Sequence, residues 1–339
     1  LPNAHSAEMV NVEYIHQYLN IRWGIDLPYS PELTNPRVAA NMKYLLTVVD
    51  IANEYLNGDK TTDYGNSEYA TLAAADTVAT NTAIDTLVKA PTFTITTTPN
   101  TSSFSMIISA AGNFTIDWGD GQSDVITKTS TAMETYSHTY SASGEYEIKL
   151  SGRATDYSGA ATGAAVSFYT NASNTASISK ISGSLGKIFP TLPDGSQPKF
   201  YQTFYRASNL TKIPADLFAG IQGAPAANMF YNTFSYTAIT EIPADLFAGI
   251  QGAPAERMFD STFYNTALTE IPANLFAGIQ GAPAERMFLG TFGGTAITEI
   301  PADLFAGIRG APAERMFDST FFNTYITEIP ANLFAGIQG

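Results

Sequence analysis

The chain has 339 residues, of which 45% are hydrophobic, and this is enough for two or three domains with buried cores of their own. Its 17 basic and 31 acidic residues give a formal net charge of -14, which repels phosphate backbones and argues against a nucleic-acid partner. The absence of cysteine excludes disulfide scaffolds and cysteine-based zinc or redox sites, and no apolar run is long enough to span a membrane.

Residues 1–90 have the apolar spacing of helices. A first helix is expected around residues 12–19, a second over 38–56 with Gly58 as its stop, and a third in the alanine-rich stretch before Pro91. The chain opens at Leu1, which suggests a processed or trimmed product. These patterns predict a small helical N-terminal region.

Residues 91–176 change to threonine, serine and apolar residues in alternation. Three runs have the period of two that is typical of strands with one buried face. Turn-forming glycine, aspartate and serine residues separate them. The pattern predicts a β-sandwich, and its alternating residues are Phe104, Met106 and Ile108, then Phe114, Ile116 and Trp118, then Tyr146, Ile148 and Leu150.

The stretches FTIDWGDGQSD and YSHTYSASGEYEIKLSG resemble the polycystic-kidney-disease (PKD) repeat. That resemblance covers residues 92–152 and implies an immunoglobulin-like sandwich that serves as a spacer or a contact module in extracellular proteins, without catalysis. The residues that match the pattern are Asp117, Trp118, Gly119, Asp120, Gly121, His138, Tyr140, Gly144 and Tyr146.

The acidic turn of this region has two interpretations. Asp117, Asp120 and Asp124 are potential calcium ligands, but their spacing does not match a calcium loop, and tight turns select aspartate for hydrogen bonds to their own backbone. The structural interpretation is favoured, with calcium as the alternative. His138 is expected to be a packed strand residue, because a metal site would need His5 and His16 to converge on it. No metal site is therefore predicted.

The third region, residues 177–339, repeats itself every 29 residues. A divergent first repeat covers 184–212, and regular repeats begin at residue 213. We expect ITEI to form a strand, and PADLFAGI and APAERMFDSTF to form two helices. The fold expected for the whole chain is multidomain α+β, ending in a leucine-rich-repeat-like α/β solenoid. The period is marked by Ile213, Ile242, Ile271, Ile300 and Ile329, each followed by proline.

The TF…LTEIPANLF pattern over residues 184–339 resembles the BspA-like leucine-rich repeats of bacterial surface proteins. Those repeats often carry Gly-Cys before the leucine, where this chain has Asn265-Thr266 or Gly294-Thr295. The resemblance implies adhesion at a cell surface or after secretion, with no active site.

Comparison of the repeats with one another shows which positions vary. In the predicted helix these positions lie opposite the buried Met-Phe and Thr-Phe pairs, so they are candidates for an exposed partner-binding stripe. Free drift of exposed positions is the alternative. The candidate residues are Tyr231, Asn232, Ser235, Tyr236, Asp260, Ser261, Tyr264, Asn265, Leu289, Gly290, Asp318, Ser319, Phe322 and Asn323.

No motif of a hydrolase, metalloprotease or nucleotide-binding loop is present, so neither catalysis nor a cofactor is predicted. One hypothesis is a secreted or surface-displayed adhesin whose solenoid contacts a protein or glycan. The other is a self-assembling subunit of an extracellular filament or phage appendage. Its contacts would be the helical N-terminal region and the repeat at Gly339, which is expected to continue in the native protein or to be covered by a partner.

Overall fold

The computed structural model describes residues 92–338, so the three predicted N-terminal helices lie outside the described residues. Two short helices, α1 (Ala172–Ala176) and α2 (Leu185–Ile188), accompany the strands in this part of the chain. The strands are β1 (Thr92–Thr97), β2 (Thr101–Ile108), β3 (Ala111–Asp117), β4 (Ser123–Lys128), β5 (Glu134–Gly144), β6 (Glu147–Asp156), β7 (Val166–Ser167) and β8 (Ile178–Gly183).

The strands form two antiparallel sheets that share one core. One sheet has the order β4-β3-β6-β1-β8, and the other has the order β5-β2-β7. Phe168, directly after β7, stacks on Phe93 of the first sheet with ring centroids 5.8 Å apart, and its centroid is 6.4 Å from that of Phe104 in the second. The alternating apolar side chains of both sheets therefore meet in a common aromatic interior.

The prediction of an α/β solenoid built from strand–helix–helix units is wrong. Within residues 92–338 the regular structure is mainly antiparallel sheet, and both short helices precede the first regular repeat. Each repeat is instead a succession of turns. Isolated parallel bridges join neighbouring repeats after the Leu-Phe pairs, and the ITEI runs form no strand. The bridges in the described residues are Gly223–Ile250, Gly252–Ile279, Gly281–Ile308 and Gly310–Ile337.

Backbone hydrogen bonds stack these turns as layers, and we call the assembly of layers the repeat stack. One set of N–H groups closes turns within a repeat, as Tyr231 N–H does on the carbonyl of Asn228, 3.2 Å away. The N–H groups between them donate to the next repeat, as Phe230 does to Met258 O at 2.8 Å. Alternate amides thus hold the turn and join the layers, so the backbone N–H groups of these turns are paired either within a repeat or with the next one.

The turns require a left-handed backbone at every fourth residue. In one repeat Asn228, Asn232 and Tyr236 have φ values of 58°, 51° and 59°. A non-glycine residue in this conformation costs about 1 kcal/mol or more, so the contacts between layers have to offset that strain. The same spacing explains why the sequence indicated helices: an apolar pair every four residues fits a helical turn and this four-residue turn equally well.

Phenylalanine rings from successive repeats stack in columns inside the repeat stack. In one column the centroids of Phe230 and Phe259 are 5.4 Å apart, and the next steps to Phe288 and Phe317 are 5.6 and 5.7 Å. A buried phenylalanine contributes about 1.5 to 3 kcal/mol. The columns are continuous with the core between the sheets, so one apolar interior extends through the described residues.

The sheets lead directly into the first layer of turns. Ala165 N–H donates to Lys199 O at 2.8 Å, and Phe168 N–H donates to Thr203 O at 3.0 Å. β8, which begins at Ile178, pairs with β1.

The predicted domain boundaries at residues 90 and 176 stay predictions. None of the helices in the described range has the length and apolar character to cross a bilayer.

Candidate functional site

The predicted partner-binding residues lie along one edge of the repeat stack, with very different exposure. Ser235 and Asp260 are 0% and 1% exposed, contrary to the expectation of an exposed stripe, and Gly290 is buried as well. The half-buried positions are Tyr231, Asn232, Ser261, Tyr264, Leu289 and Asp318, and the exposed ones are Tyr236, Asn265, Ser319, Phe322 and Asn323.

Packing between layers explains part of the variation among the repeats. Equivalent positions in five successive layers are Tyr205, Ser235, Tyr264, Gly293 and Phe322, so large and small residues alternate. A Cβ atom on Gly293 would lie 3.0 Å from the Tyr264 ring, because that ring occupies the space above the glycine. The change from tyrosine to glycine at this step is therefore complementary packing between neighbours.

A cluster of four tyrosine rings and one cation lies at the start of the repeat stack, with Tyr236 and Arg206 exposed and the other three rings half-buried. Tyr205 contacts Tyr169 and Tyr236 edge to face, with centroids 4.7 and 5.7 Å away, and Tyr236 contacts Tyr264 at 5.7 Å. The guanidinium carbon of Arg206 is 5.4 Å from the ring centroids of both Tyr205 and Tyr236. Interaction with the Tyr205 side chain raises the pKa of Arg206. We call these five residues the tyrosine–arginine surface.

A groove of about 480 Å³ runs beside this surface. Its charged residue is Arg206, and no carboxylate lines it, although the whole chain carries a net charge of -14. A concave site with an aromatic ring and a few polar groups is the usual form of a ligand pocket. The lining residues are Ala172, Ala176, Arg206, Ser208, Tyr236, Thr237, Ala238 and Asn265.

The sequence interpretation missed Arg206, Tyr205 and Tyr169. A shift of the repeat period hides the first two: Phe200 and Phe204 precede Phe230 and Phe234 by 30 residues, whereas the later steps are 29. Correcting for the extra residue aligns Tyr205-Arg206 with Ser235-Tyr236. Tyr169 precedes the repeats, and only the fold brings it to the same surface.

A second arginine–tyrosine contact lies nearby, but its charge is satisfied internally. The guanidinium of Arg257 lies 4.9 Å from the ring of Tyr231, and its Nε donates to Asp260 Oδ2 at 2.8 Å. Burial raises the pKa of Asp260, opposed by its hydrogen bonds from Arg257 and Ser261. The charge of Arg257 is therefore paired within the chain.

The acidic turn of the sheets uses its carboxylates locally. Asp117 Oδ1 accepts from Gly119 N–H at 2.9 Å, Asp120 Oδ1 accepts from Gln122 N–H at 3.1 Å, and Asp124 Oδ2 accepts from Trp118 Nε1 at 3.1 Å. Asp120 Oδ2 lies 2.8 Å from His138 Nε2, and this hydrogen bond lowers the pKa of Asp120. These bonds are the turn chemistry expected of aspartate.

His138 is packed between aromatic rings in this turn. Its ring stacks on Trp118 with centroids 5.3 Å apart and meets Tyr140 edge to face at 4.7 Å. No serine or threonine hydroxyl in residues 92–338 donates to His138, and this part of the chain contains no cluster of three potential metal ligands. The Asp120–His138 pair thus lacks the hydroxyl contact of a nucleophilic triad.

Comparisons with known proteins give no relative: no family model, no curated protein and no solved structure matches the chain.

Proposed function

We propose that the chain is a non-enzymatic binding protein of a secreted or cell-surface setting, whose tyrosine–arginine surface contacts a glycan or protein partner. One observation carries this proposal: the exposed guanidinium of Arg206 lies against the half-buried Tyr205 and the exposed Tyr236, beside a groove. Tyrosine and arginine are among the residue types enriched at the positions that contribute most to binding energy at interfaces. The resemblances to PKD and BspA-like sequences support the same class, with the sheets as spacer.

The rigidity of the surface also favours binding. Tyr236 N–H donates to Tyr264 O at 2.9 Å, and Arg206 N–H donates to Ser235 O at 2.8 Å, so hydrogen bonds between layers fix the backbone under both side chains. A backbone that is already fixed loses less entropy when a partner arrives. The surface is therefore suited to contact a partner without rearrangement.

The test is binding of the full chain to an array of neutral glycans, acidic glycans and extracellular proteins. The variant Tyr236→Asn with Tyr264→Ser uses residues that other repeats carry at these positions, as at Asn265 and Ser235. We expect wild type to bind at least one probe and the variant to bind it at least tenfold more weakly.

The control variant, Gln251→Ala with Gln280→Ala, changes a groove that the tyrosine–arginine surface does not line. It should retain wild-type binding. Failure of wild type to bind any probe, or equal binding by both double variants, would contradict the proposal.

A further inference from the structure

We propose that the groove beside Arg206 binds an acidic saccharide, with the sugar carboxylate on the guanidinium of Arg206. The inference rests on the proposed binding function and specifies the ligand class for the same surface. Arg206 is exposed and, among the described residues, has no carboxylate partner. Its fork of N–H donors matches a carboxylate in a bidentate geometry.

The comparison with Arg257 shows that the free charge is particular to this site. Both guanidinium groups lie over tyrosine rings, at 5.4 Å for Arg206 and 4.9 Å for Arg257. Arg257 is neutralised by Asp260, whose Oδ2 is 2.8 Å from its Nε. At Arg206 the chain provides the same aromatic support but no acid, so the position of the acid is open to a ligand.

The polar groups of the groove favour a saccharide as occupant. Ser208 and Asn265 line the groove, and neither side chain has a hydrogen-bond partner within residues 92–338. Beside them the Tyr236 ring is 37% exposed and offers an apolar surface for the C–H face of a sugar. Sugar hydroxyl groups both donate and accept, so they can satisfy these free groups together.

The backbone around the groove argues against an extended peptide. A peptide that adds to a sheet needs a free row of backbone donors and acceptors. Here Arg206 N–H and Tyr236 N–H already donate to the next layer, and Ser208 N–H donates to Arg206 O at 2.8 Å. The ligand therefore has to be recognised through side chains, and the single cation of the lining selects for negative charge.

The test is isothermal titration of the full chain with two carboxylate-bearing probes, trigalacturonate and sialyllactose, against their neutral counterparts, methyl-esterified trigalacturonate and lactose. We expect at least one acidic probe to bind and its neutral counterpart to bind at least tenfold more weakly, because a charge-assisted hydrogen bond is lost. The variant Arg206→Asn introduces the residue that a later repeat carries at the equivalent position, Asn265. It should weaken binding of the acidic probe at least tenfold.

Arg309→Gln is the matched control. It removes the same charge from an exposed arginine and introduces the glutamine that the repeats carry at Gln251 and Gln280. It should leave binding unchanged, and thermal melts should show that both variants remain folded. No binding of either acidic probe, or an equal loss in both variants, would overturn the inference. If array binding to a protein or a neutral glycan persisted, the proposed function would stand with a different ligand.

Discussion

Asp260 and Asp318 show how the layer in which a residue lies changes its chemistry. Both belong to the sequence ERMFDSTF, and both pair with the arginine three residues earlier. Asp260 is covered by the next repeat, and burial raises its pKa, whereas the hydrogen bond from Arg315 lowers the pKa of the more exposed Asp318. The same letters therefore produce opposite shifts because their solvent exposure differs.

NMR titration of the two carboxyl groups should find the pKa of Asp260 above, and the pKa of Asp318 below, their common reference pKa of 3.8. A lowered folded pKa stabilises the fold above pH 3.8, so the advantage of wild type over Asp318→Asn should disappear as pH falls through that pKa. For Asp260 the sign is reversed: relative to Asp260→Asn, wild type should lose stability as pH rises through the raised pKa. Identical titration curves would contradict this assignment of burial.

Tyr264 and Gly293 test whether neighbouring layers are complementary. Gly293→Ser introduces the residue found at Ser235, but its Cβ would lie 3.0 Å from the Tyr264 ring. Overpacking of this kind costs about 1 to 3 kcal/mol, so chemical denaturation should show a decrease in the free energy of unfolding in that range.

Tyr264→Ser is the matched partner in a double-mutant cycle with Gly293→Ser. In the Tyr264→Ser background, Gly293→Ser should lower the free energy of unfolding by at least about 1 kcal/mol less than it does in the wild-type background. Additive effects would mean that the two layers do not pack as described and that the variation at this position has another cause.

At the scale of elements, the strands could be predicted and the repeat conformation could not. Phe104 and Met106 alternate as strand residues do, and they lie in β2. In the repeats, Met258-Phe259 and Thr262-Phe263 are four residues apart. This spacing fits a helix as well as it fits the observed turns, in which every fourth residue has a left-handed backbone. Glycine and asparagine at positive φ were the available signal, but Arg257 adopts the same conformation, which a residue-type rule does not anticipate.

The glycines of the AGI segments give a test of how closely neighbouring layers approach. A Cβ atom on Gly278 would lie 2.2 Å from the Ile250 carbonyl oxygen of the preceding layer, and backbone cannot move aside cheaply. Gly278→Ala should therefore lower the free energy of unfolding by about 3 kcal/mol.

The control for this change is Gly159→Ala, where no atom lies within 4 Å of the added methyl group. It should have little effect in the same denaturation experiment. Equal stability of the two variants would mean that the layers are further apart than described.

At the scale of the molecule, the 29-residue period identifies which residues meet but not how the chain folds between them. Phe259 and Phe288, one period apart, stack as layer contacts do. The candidate site was only partly predictable for a related reason: Tyr236 and Asn265 line the groove, but Arg206 lies in the repeat with the shifted period, and α1 supplies Ala172 and Ala176. Long-range assembly of this kind leaves no local pattern in the sequence.

The central claim is that the repeats are stacked left-handed turns, and the pair Arg286→Gly and Glu285→Gly tests it most directly. Both changes remove the contact between Arg286 and Glu285, whose closest atoms are 3.2 Å apart, but only Arg286 has a positive φ, 54°. At position 286 glycine relieves the backbone strain of the positive φ, which offsets the extra conformational entropy that glycine gives the unfolded chain. At position 285 there is no such strain to relieve, and only the entropy cost is present. Urea denaturation should find Arg286→Gly more stable than Glu285→Gly by about 1 kcal/mol. Similar losses of about 1 kcal/mol at both positions, as in a helix interior, would contradict the account.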